Sequence, residues 1–404
     1  MLLPLVTHLQ ETPITLPSSQ VRLSQNLIKR VAIEASSASS GGAIRFLSQI
    51  CPALSKDSSN ITYYLLNRTE QRSQLPALPH NFHWIRIPDQ TRWIPFRLLW
   101  LQVVLPRILT EIGADVLLAA SDVSTLRSPC PMVLMSHNIN PFSPLRGQIW
   151  RRKQLVRMAA HRRLIKACSR RADKVVFVSN WSRQAMLPYL NISQEKTSVV
   201  YHGVDEVFRP FPKRVAPDNA PRIILAVSEV LEHKNLARLI EAFIQLSKSS
   251  HKEVRLIIAG GIGSEELRQS LEARLTNEGI LDRVTFLGFV PKEELAVWYH
   301  QAELLVFPSL AETFGLPLIE AMASGLPVVA SNATAMPEIC QKAALYFDPE
   351  NILEMDQAIQ RVLTEPDLRD ELIRQGIKRA SSFSWEDTAA NLLSSLEMAQ
   401  SRAS

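Results

Sequence analysis

The feature that most narrows the fold is a rhythm. Short runs of β-branched and aliphatic residues recur along the chain, separated by helical patterns, in two blocks. The first block holds RVAIEAS (30–36), ITYYLLN (61–67), ADVLLAA (114–120), PMVLMS (131–136), KVVFVS (174–179) and TSVVYH (197–202). The second holds RIILAVS (222–228), VRLIIAG (254–260), VTFLGF (284–289), ELLVFPS (303–309) and PVVAS (327–331). Runs that are apolar at successive positions describe strands covered on both faces, the condition of a parallel sheet between helical layers. Between the blocks lies FRPFPKRVAPDNAP (208–221), whose four prolines disfavour regular structure and mark a linker. The expectation is an α/β chain of two doubly wound, Rossmann-like domains, 31–207 and 208–384, facing a central cleft. Such sheets bind ligands at the carboxyl ends of their strands, so the cleft is the expected site. Residues 1–30 show no period and carry no assignment.

With 404 residues the chain exceeds one ordinary core, and 46% apolar with 21% charged residues suits a globular protein. The net charge of +6 favours phosphates, an anionic membrane face or nucleic acid as partners. Cys51, Cys130, Cys168 and Cys340 form no CxxC pair, which argues against a disulfide scaffold or zinc knuckle and for reduced thiols in a cytoplasmic protein. The opening MLLPLVTHLQ lacks a basic region and is broken by Pro4 and His8, so it does not read as a signal peptide. No run approaches the roughly 18 apolar residues of a membrane span. LLWLQVVL (98–105), followed by Pro106, reads as an ordinary partly buried helix.

The segment 151–174 carries ten Lys and Arg against one acid. It lacks interleaved aromatic residues for base stacking, so nucleic acid is not expected there. Leu155 and Ala159 share a helical face with Arg162 and Lys166. A solvated basic face is the commoner explanation of such a pattern; contact with an anionic membrane is the alternative.

The most specific stretch is SLAETFGLPLIEAMASGLPVVAS (309–331). Pro317 suits the first turn of a helix and Gly325 the residue past its end, giving a helix over about 317–324. Leu318 and Met322 would pack inward together. Gly315 permits close backbone approach, and N–H groups at the helix mouth favour an anion. Glu312 in the preceding loop and Glu320, placed in the first turn, would both reach that mouth. A glutamate there gains only about 0.3–1 kcal/mol from the helix dipole, so the pair around Phe314-Gly315 is more telling than either acid alone.

E-x-F-G-x-P-x-x-E followed by A-M-A-x-G-x-P-V-V-A-S resembles the signature of GT-B glycosyltransferases of family 4, which retain anomeric configuration and use nucleotide-diphosphate sugars. The resemblance continues through LEHKNLARLIEAF (231–243), DRVTFLGFVPKEELAVWYHQAELLVFPS (282–309) and MPEICQKAALYFDPEN (336–351), and reaches back to GADVLLAA and MSHNINPF. It implies a GT-B architecture whose last segment, 385–404, returns to the first domain, with Ser384 capping that helix. It also implies that Glu312 accepts hydrogen bonds from donor-sugar hydroxyls and that Glu320 holds the ribose. Thr313, Phe314, Gly315, Leu316, Phe289 and Val290 would line the donor site.

Departure of a diphosphate builds negative charge that needs neutralising. The chain has no D-x-D motif to hold a metal, so no metal or other cofactor is expected and protein cations must serve. Lys234 after strand 222–228 is the candidate cation, with Asn235 expected to cap the next helix. The family often carries Gly-Arg five to six residues earlier; here Ser228 and Glu229 stand instead. Gly41 and Gly42, after strand 30–36, offer a serine- and glycine-rich loop that in the family faces the diphosphate. His137 at the end of strand 131–136 matches a family histidine that lies against the reacting sugar. No first-half carboxylate stands out as a nucleophile, which favours front-side displacement. The expectation is a metal-independent retaining hexosyltransferase, mannosyltransferase-like, acting at the inner face of a membrane or in the cytoplasm on a saccharide or lipid-linked saccharide acceptor in polysaccharide or glycolipid synthesis. The alternative is a regulatory GT-B protein that binds nucleotide sugar without turnover.

Overall fold

The computed structural model describes residues 28–38, 41–58, 60–139, 141–142, 152–210, 221–249 and 253–401. Most of the unassigned amino-terminal stretch and of the proline-rich linker therefore lies outside the described residues. Among these residues there are two parallel sheets. β1 (Arg30–Glu34), β2 (Thr62–Asn67), β3 (Phe82–Arg86), β4 (Val116–Ala119), β5 (Met132–Ser136), β6 (Lys174–Phe177) and β7 (Thr197–Val199) form the first, in the order 3-2-1-4-5-6-7. β8 (Arg222–Val227), β9 (Val254–Ala259), β10 (Val284–Gly288), β11 (Leu304–Phe307), β12 (Val328–Ser331) and β13 (Ala344–Phe347) form the second, in the order 10-9-8-11-12-13. The connecting helices of the first lobe are α1 (Gly41–Asp57), α2 (Thr69–Ser73), α3 (Ile94–Glu111), α4 (Arg152–Arg171) and α5 (Asn180–Leu190). Those of the second are α6 (Leu236–Ser249), α7 (Glu265–Asn277), α8 (Lys292–Gln301), α9 (Leu316–Ala323), α10 (Met336–Cys340), α11 (Ile352–Thr364) and α12 (Pro366–Ala380), followed by α13 (Trp385–Ser401).

Central strands such as β4, β5 and β11 are buried at every position, because helices cover both faces of each sheet. In each sheet the order reverses beside the first strand: Val31 pairs with Tyr63 on one side and Val116 on the other, as Ile224 does with Leu256 and Leu304. Those reversals leave crevices at the strand ends, and the two crevices face each other.

Two strands escaped the sequence reading. β3 is a half-exposed edge strand, FHWIR, without an apolar run. β13, ALYF, is short and lies inside a stretch notable for other reasons. The LLWLQVVL helix extends well beyond its apolar run, over all of α3, and only one of its faces is buried. All four cysteines are free. No helix among the described residues is long and apolar enough to cross a membrane.

The last helix returns to the first lobe, as the resemblance implied. Trp385, Ala389, Leu392, Leu396 and Ala399 of α13 join the core under α1, β1 and β4. Ser384 caps it, accepting a hydrogen bond from the Asp387 N–H at 2.9 Å, and the Thr388 hydroxyl donates to the Tyr201 carbonyl at 2.8 Å. Gly203 permits that docking. A Cβ on it would lie within 2.7 Å of Trp385 Cα, against backbone that cannot yield. Gly203→Ala is therefore expected to destabilise the fold by about 1–3 kcal/mol, the usual range for overpacking. Thermal melting should show it, with limited proteolysis cutting first near 385; an unchanged melting temperature refutes the close docking.

Candidate functional site

The strand ends of both sheets open onto one hollow of about 1820 Å³ between the lobes. Gly42, Arg45, Asp122 and His137 line it from the first lobe; Glu229, Lys234, Phe289, Val290 and the run Glu312–Pro317 line it from the second. Gly42 heads α1 just after Gly41, with open space where a side chain would stand. Phe289 follows β10 and is 77% exposed. Ten of the anticipated site residues, Glu320 not among them, thus line one hollow.

The helix mouth has a simple local origin. Gly315, with φ 89°, takes the left-handed position before α9, and Pro317 fits the first turn. Leu318 and Met322 are fully buried beneath it, and Gly325, with φ 72°, follows the helix end. Just before the mouth, Thr313 touches the first lobe twice: its carbonyl accepts from the Ser179 hydroxyl at 2.6 Å, and its own hydroxyl donates to the His137 carbonyl at 2.9 Å.

Lys234 and Glu312 meet directly. Lys234 ends a 3-10 turn after β8, and its Nζ lies 2.6 Å from Glu312 Oε1. The Glu312 N–H donates to the Thr334 hydroxyl at 3.0 Å, which fixes the loop. Asn235 does not cap α6 through its side chain. Its amide donates to the carbonyls of Pro308 (3.0 Å) and Pro349 (2.8 Å), because left-handed backbone at φ 60° turns it toward the β11 and β13 loops. Glu229, in place of the family cation, lies on the wall of the hollow with its Cγ near Gly261.

Glu320 departs from expectation. The helix begins at Leu316, so Glu320 falls in its second turn, and its carboxylate is 2% exposed. It is turned toward α1 and α8 rather than the open hollow: Arg45 Nη1 stands 2.7 Å away and the Tyr299 hydroxyl donates at 2.9 Å. Burial raises its pKa, and the Arg45 guanidinium opposes that shift. Arg45 in turn lies 5.0 Å over the Phe208 ring. The pair links α1 of the first lobe to α9 of the second.

His137 directly follows β5, with its ring stacked on His202, centroids 5.7 Å apart. Burial pushes the His137 pKa down to about 4, and burial with the neighbouring His137 pushes His202 down to about 3. Both rings are therefore neutral near pH 7, and His137 Nε2 has no hydrogen-bond partner among the described residues. Asp122, beyond β4, accepts from the Ser136 hydroxyl at 2.8 Å and the His137 N–H at 3.1 Å; burial raises its pKa to about 6.

Asp122, Arg45, His202 and Glu338 were not singled out in the sequence. Asp122 had a signal, since it follows a strand at the end where ligands bind. Arg45 and His202 had none, because their partners are far away in the chain. Glu338 bridges the lobes: its Oε1 and Oε2 accept the N–H groups of Asn180 (2.7 Å) and Trp181 (2.6 Å), at the amino end of α5, and Oε1 also accepts the Tyr201 hydroxyl at 2.7 Å.

The depressed histidine pKa values have a testable sign. Unfolded His202 takes up a proton near pH 6.5, whereas folded His202 refuses it until about pH 3. Its contribution to stability is thus present above pH 6.5 and is lost as pH falls toward 3. Wild type should lose stability relative to His202→Leu on acidification across that window, read as the difference in melting temperature. A pH-independent difference contradicts the assignment.

Comparison with known proteins agrees with this geometry. A family model described as "Glycosyl transferases group 1" matches residues 208–379, and one described as "Glycosyltransferase Family 4" matches residues 40–208. An O-antigen chain mannosyltransferase, RfbU of Salmonella typhimurium, is 30% identical over 231 residues, 57% of this chain and 60% of that one. The chain thus spans 60% of the length of that curated relative, less than two thirds. Among solved structures, sucrose-phosphate synthase from Thermosynechococcus elongatus superposes with a TM-score of 0.74 at 21% identity, covering 93% of this chain and 100% of that one. Anabaena HepE in complex with UDP-glucose gives 0.68 at 19%, covering 91% and 100%. These two likenesses establish the fold, a two-domain GT-B fold. Together the two family models span both lobes, and the chain belongs to the group 1, family 4 glycosyltransferases.

Proposed function

We propose that the protein transfers a hexose, mannose in the first instance, from a nucleotide-diphosphate sugar to a hydroxyl of a saccharide acceptor, with retention and without a metal ion. The observation that carries this reading is the meeting of Lys234 and Glu312 in the hollow under the mouth of α9. A diphosphate seated at that mouth meets the helix dipole and the Lys234 ammonium together. Glu312 then exchanges part of its contact with Lys234 for hydroxyls of the donor sugar, for which an ionised carboxylate is a strong acceptor. Mannose is favoured because RfbU is named an O-antigen chain mannosyltransferase, and a nucleotide sugar because HepE was solved with UDP-glucose.

In the proposed step the acceptor oxygen attacks the anomeric carbon on the face from which the diphosphate leaves. The glycosyl–oxygen bond breaks, and the acceptor proton passes to the departing phosphate oxygen. His137 fits a positioning part: a neutral ring on the wall of the hollow can hold one sugar hydroxyl without adding charge. The ribose role proposed for Glu320 requires its carboxylate to leave Arg45, so donor binding would reorganise that pair. The acceptor is proposed to be lipid-linked, which would bring the protein to the inner face of a membrane.

The test uses folded variants and a panel of GDP-mannose, UDP-glucose and UDP-N-acetylglucosamine, scored by melting shift and by transfer. Glu312→Ala should abolish transfer, and Lys234→Ala should lower kcat/KM at least a hundredfold, with secondary structure unchanged. EDTA should leave wild-type transfer intact. Full activity in either variant, or loss of activity in EDTA that Mg²⁺ restores, defeats the corresponding part. Donor binding without transfer or hydrolysis would instead support the regulatory reading, which Glu229 on the wall of the hollow favours.

A further inference from the structure

Six of the sixteen exposed large apolar side chains among the described residues fall between positions 93 and 104, so they form a patch rather than the usual scatter. They belong to α3 and the residue before it. The inner face of α3 is spoken for, since Trp100, Leu101, Leu105 and Leu109 are buried against the first sheet. Its outer face carries Phe96, Leu99 and Val103 at helical spacing, with Trp93 and Ile94 at the leading end. Leu99 is 61% and Trp93 60% exposed. A helix apolar on both faces in a water-soluble lobe has one face too many.

Cations surround this row. Arg92 lies with its guanidinium 5.5 Å over the Trp93 ring, and Arg107 stands exposed one turn beyond Val103. Glu111 at the far end is the only acid on α3, and Asp89 just upstream is paired with Arg86 at 3.2 Å. The neighbouring α4 contains no acid and exposes Val156, Arg157 and Arg163. Leu101 and Leu105 of α3 share one core with Ile165 and Cys168 of α4, and both helices line the hollow.

We propose that the outer face of α3, with the exposed Arg157 and Arg163 of α4, is a docking surface for an anionic lipid bilayer. Lying flat, the apolar row would enter the boundary between headgroups and acyl chains, Trp93 would sit at headgroup level, and the arginines would meet the lipid phosphates. A second copy of this chain fits less well. A two-fold interface sets each patch against itself, and here that would place arginines opposite arginines. Ile94, Arg97 and Leu98 of α3 and Arg157 and His161 of α4 line the hollow beside this face, so docking brings the first-lobe wall of the hollow close to the lipid surface, where a hydroxyl on a lipid carrier would arrive. This deepens the proposed lipid-linked acceptor and rests on that reading for its purpose, though not for its geometry.

The experiment is flotation of the full chain with vesicles of phosphatidylcholine alone or containing phosphatidylglycerol, without substrate. Wild type should float with the anionic vesicles, less so as salt rises, and weakly with the neutral ones. Trp93→Ser/Leu99→Ser should weaken anionic-vesicle binding at least tenfold, and Arg92→Glu/Arg107→Glu should remove the preference for anionic lipid. Brominated acyl chains should quench the tryptophan fluorescence of wild type and much less that of Trp93→Ser. Absence of wild-type binding, or unchanged binding by the apolar variant, overturns the proposal. So does a dimer, seen by sedimentation without lipid, that Leu99→Ser disperses. Donor-induced melting shifts are recorded on the same proteins. The docking variants should keep them, and their loss in wild type would defeat the transferase reading while leaving vesicle binding to be judged alone.

Discussion

Thr313 is hydrogen-bonded to the opposite lobe through both its carbonyl and its hydroxyl, and the site depends on that. Its carbonyl takes the Ser179 hydroxyl and its hydroxyl reaches the His137 carbonyl. The loop that carries Glu312 and leads into α9 is thereby held against the end of β5. Without it the two crevices would be separate strand-end sites. With it, the neutral histidine ring and the charged pair share one hollow. Glu338 supports the same closure from behind, its carboxylate placed where the dipole and free N–H groups of α5 favour an anion.

A second regularity concerns charge. Three cations around the cleft are matched with carboxylates: Lys234 with Glu312, Arg45 with Glu320, and Lys292 with Asp205 at 2.7 Å. A pair such as Arg45–Glu320, taken largely out of water, is costly unless each partner keeps the other, so an incoming anion or polyol has to exchange partners rather than simply add to the site. That suits a substrate carrying both phosphates and sugar hydroxyls, since one molecule offers acceptors to the cations and donors to the carboxylates.

The fold was largely legible because its signal is local. Eleven strands announce themselves as continuous apolar runs, and the two that do not, β3 and β13, are a half-exposed edge and a four-residue segment. Pro317, Gly315 and Gly325 marked α9 because proline and glycine act through their own backbone angles. Reading Glu320 failed for a matching reason. Its chain position is only one residue from that expected, but its partners, Arg45 and Tyr299, are 275 and 21 residues away. The same distance hid the outer face of α3, since an apolar helix looks alike whether its second face meets protein or solvent.

By itself the sequence determined the parallel sheets, the capped last helix and the pairing of acids around a helix mouth. Each follows from the period of apolar residues or from the conformational limits of one or two residue types, interactions that act over a few residues. Tertiary structure alone decided which charges meet, which histidines lose their protons and which apolar surface is left uncovered. Those outcomes depend on burial and on through-space distances of a few ångströms between side chains that lie far apart along the chain.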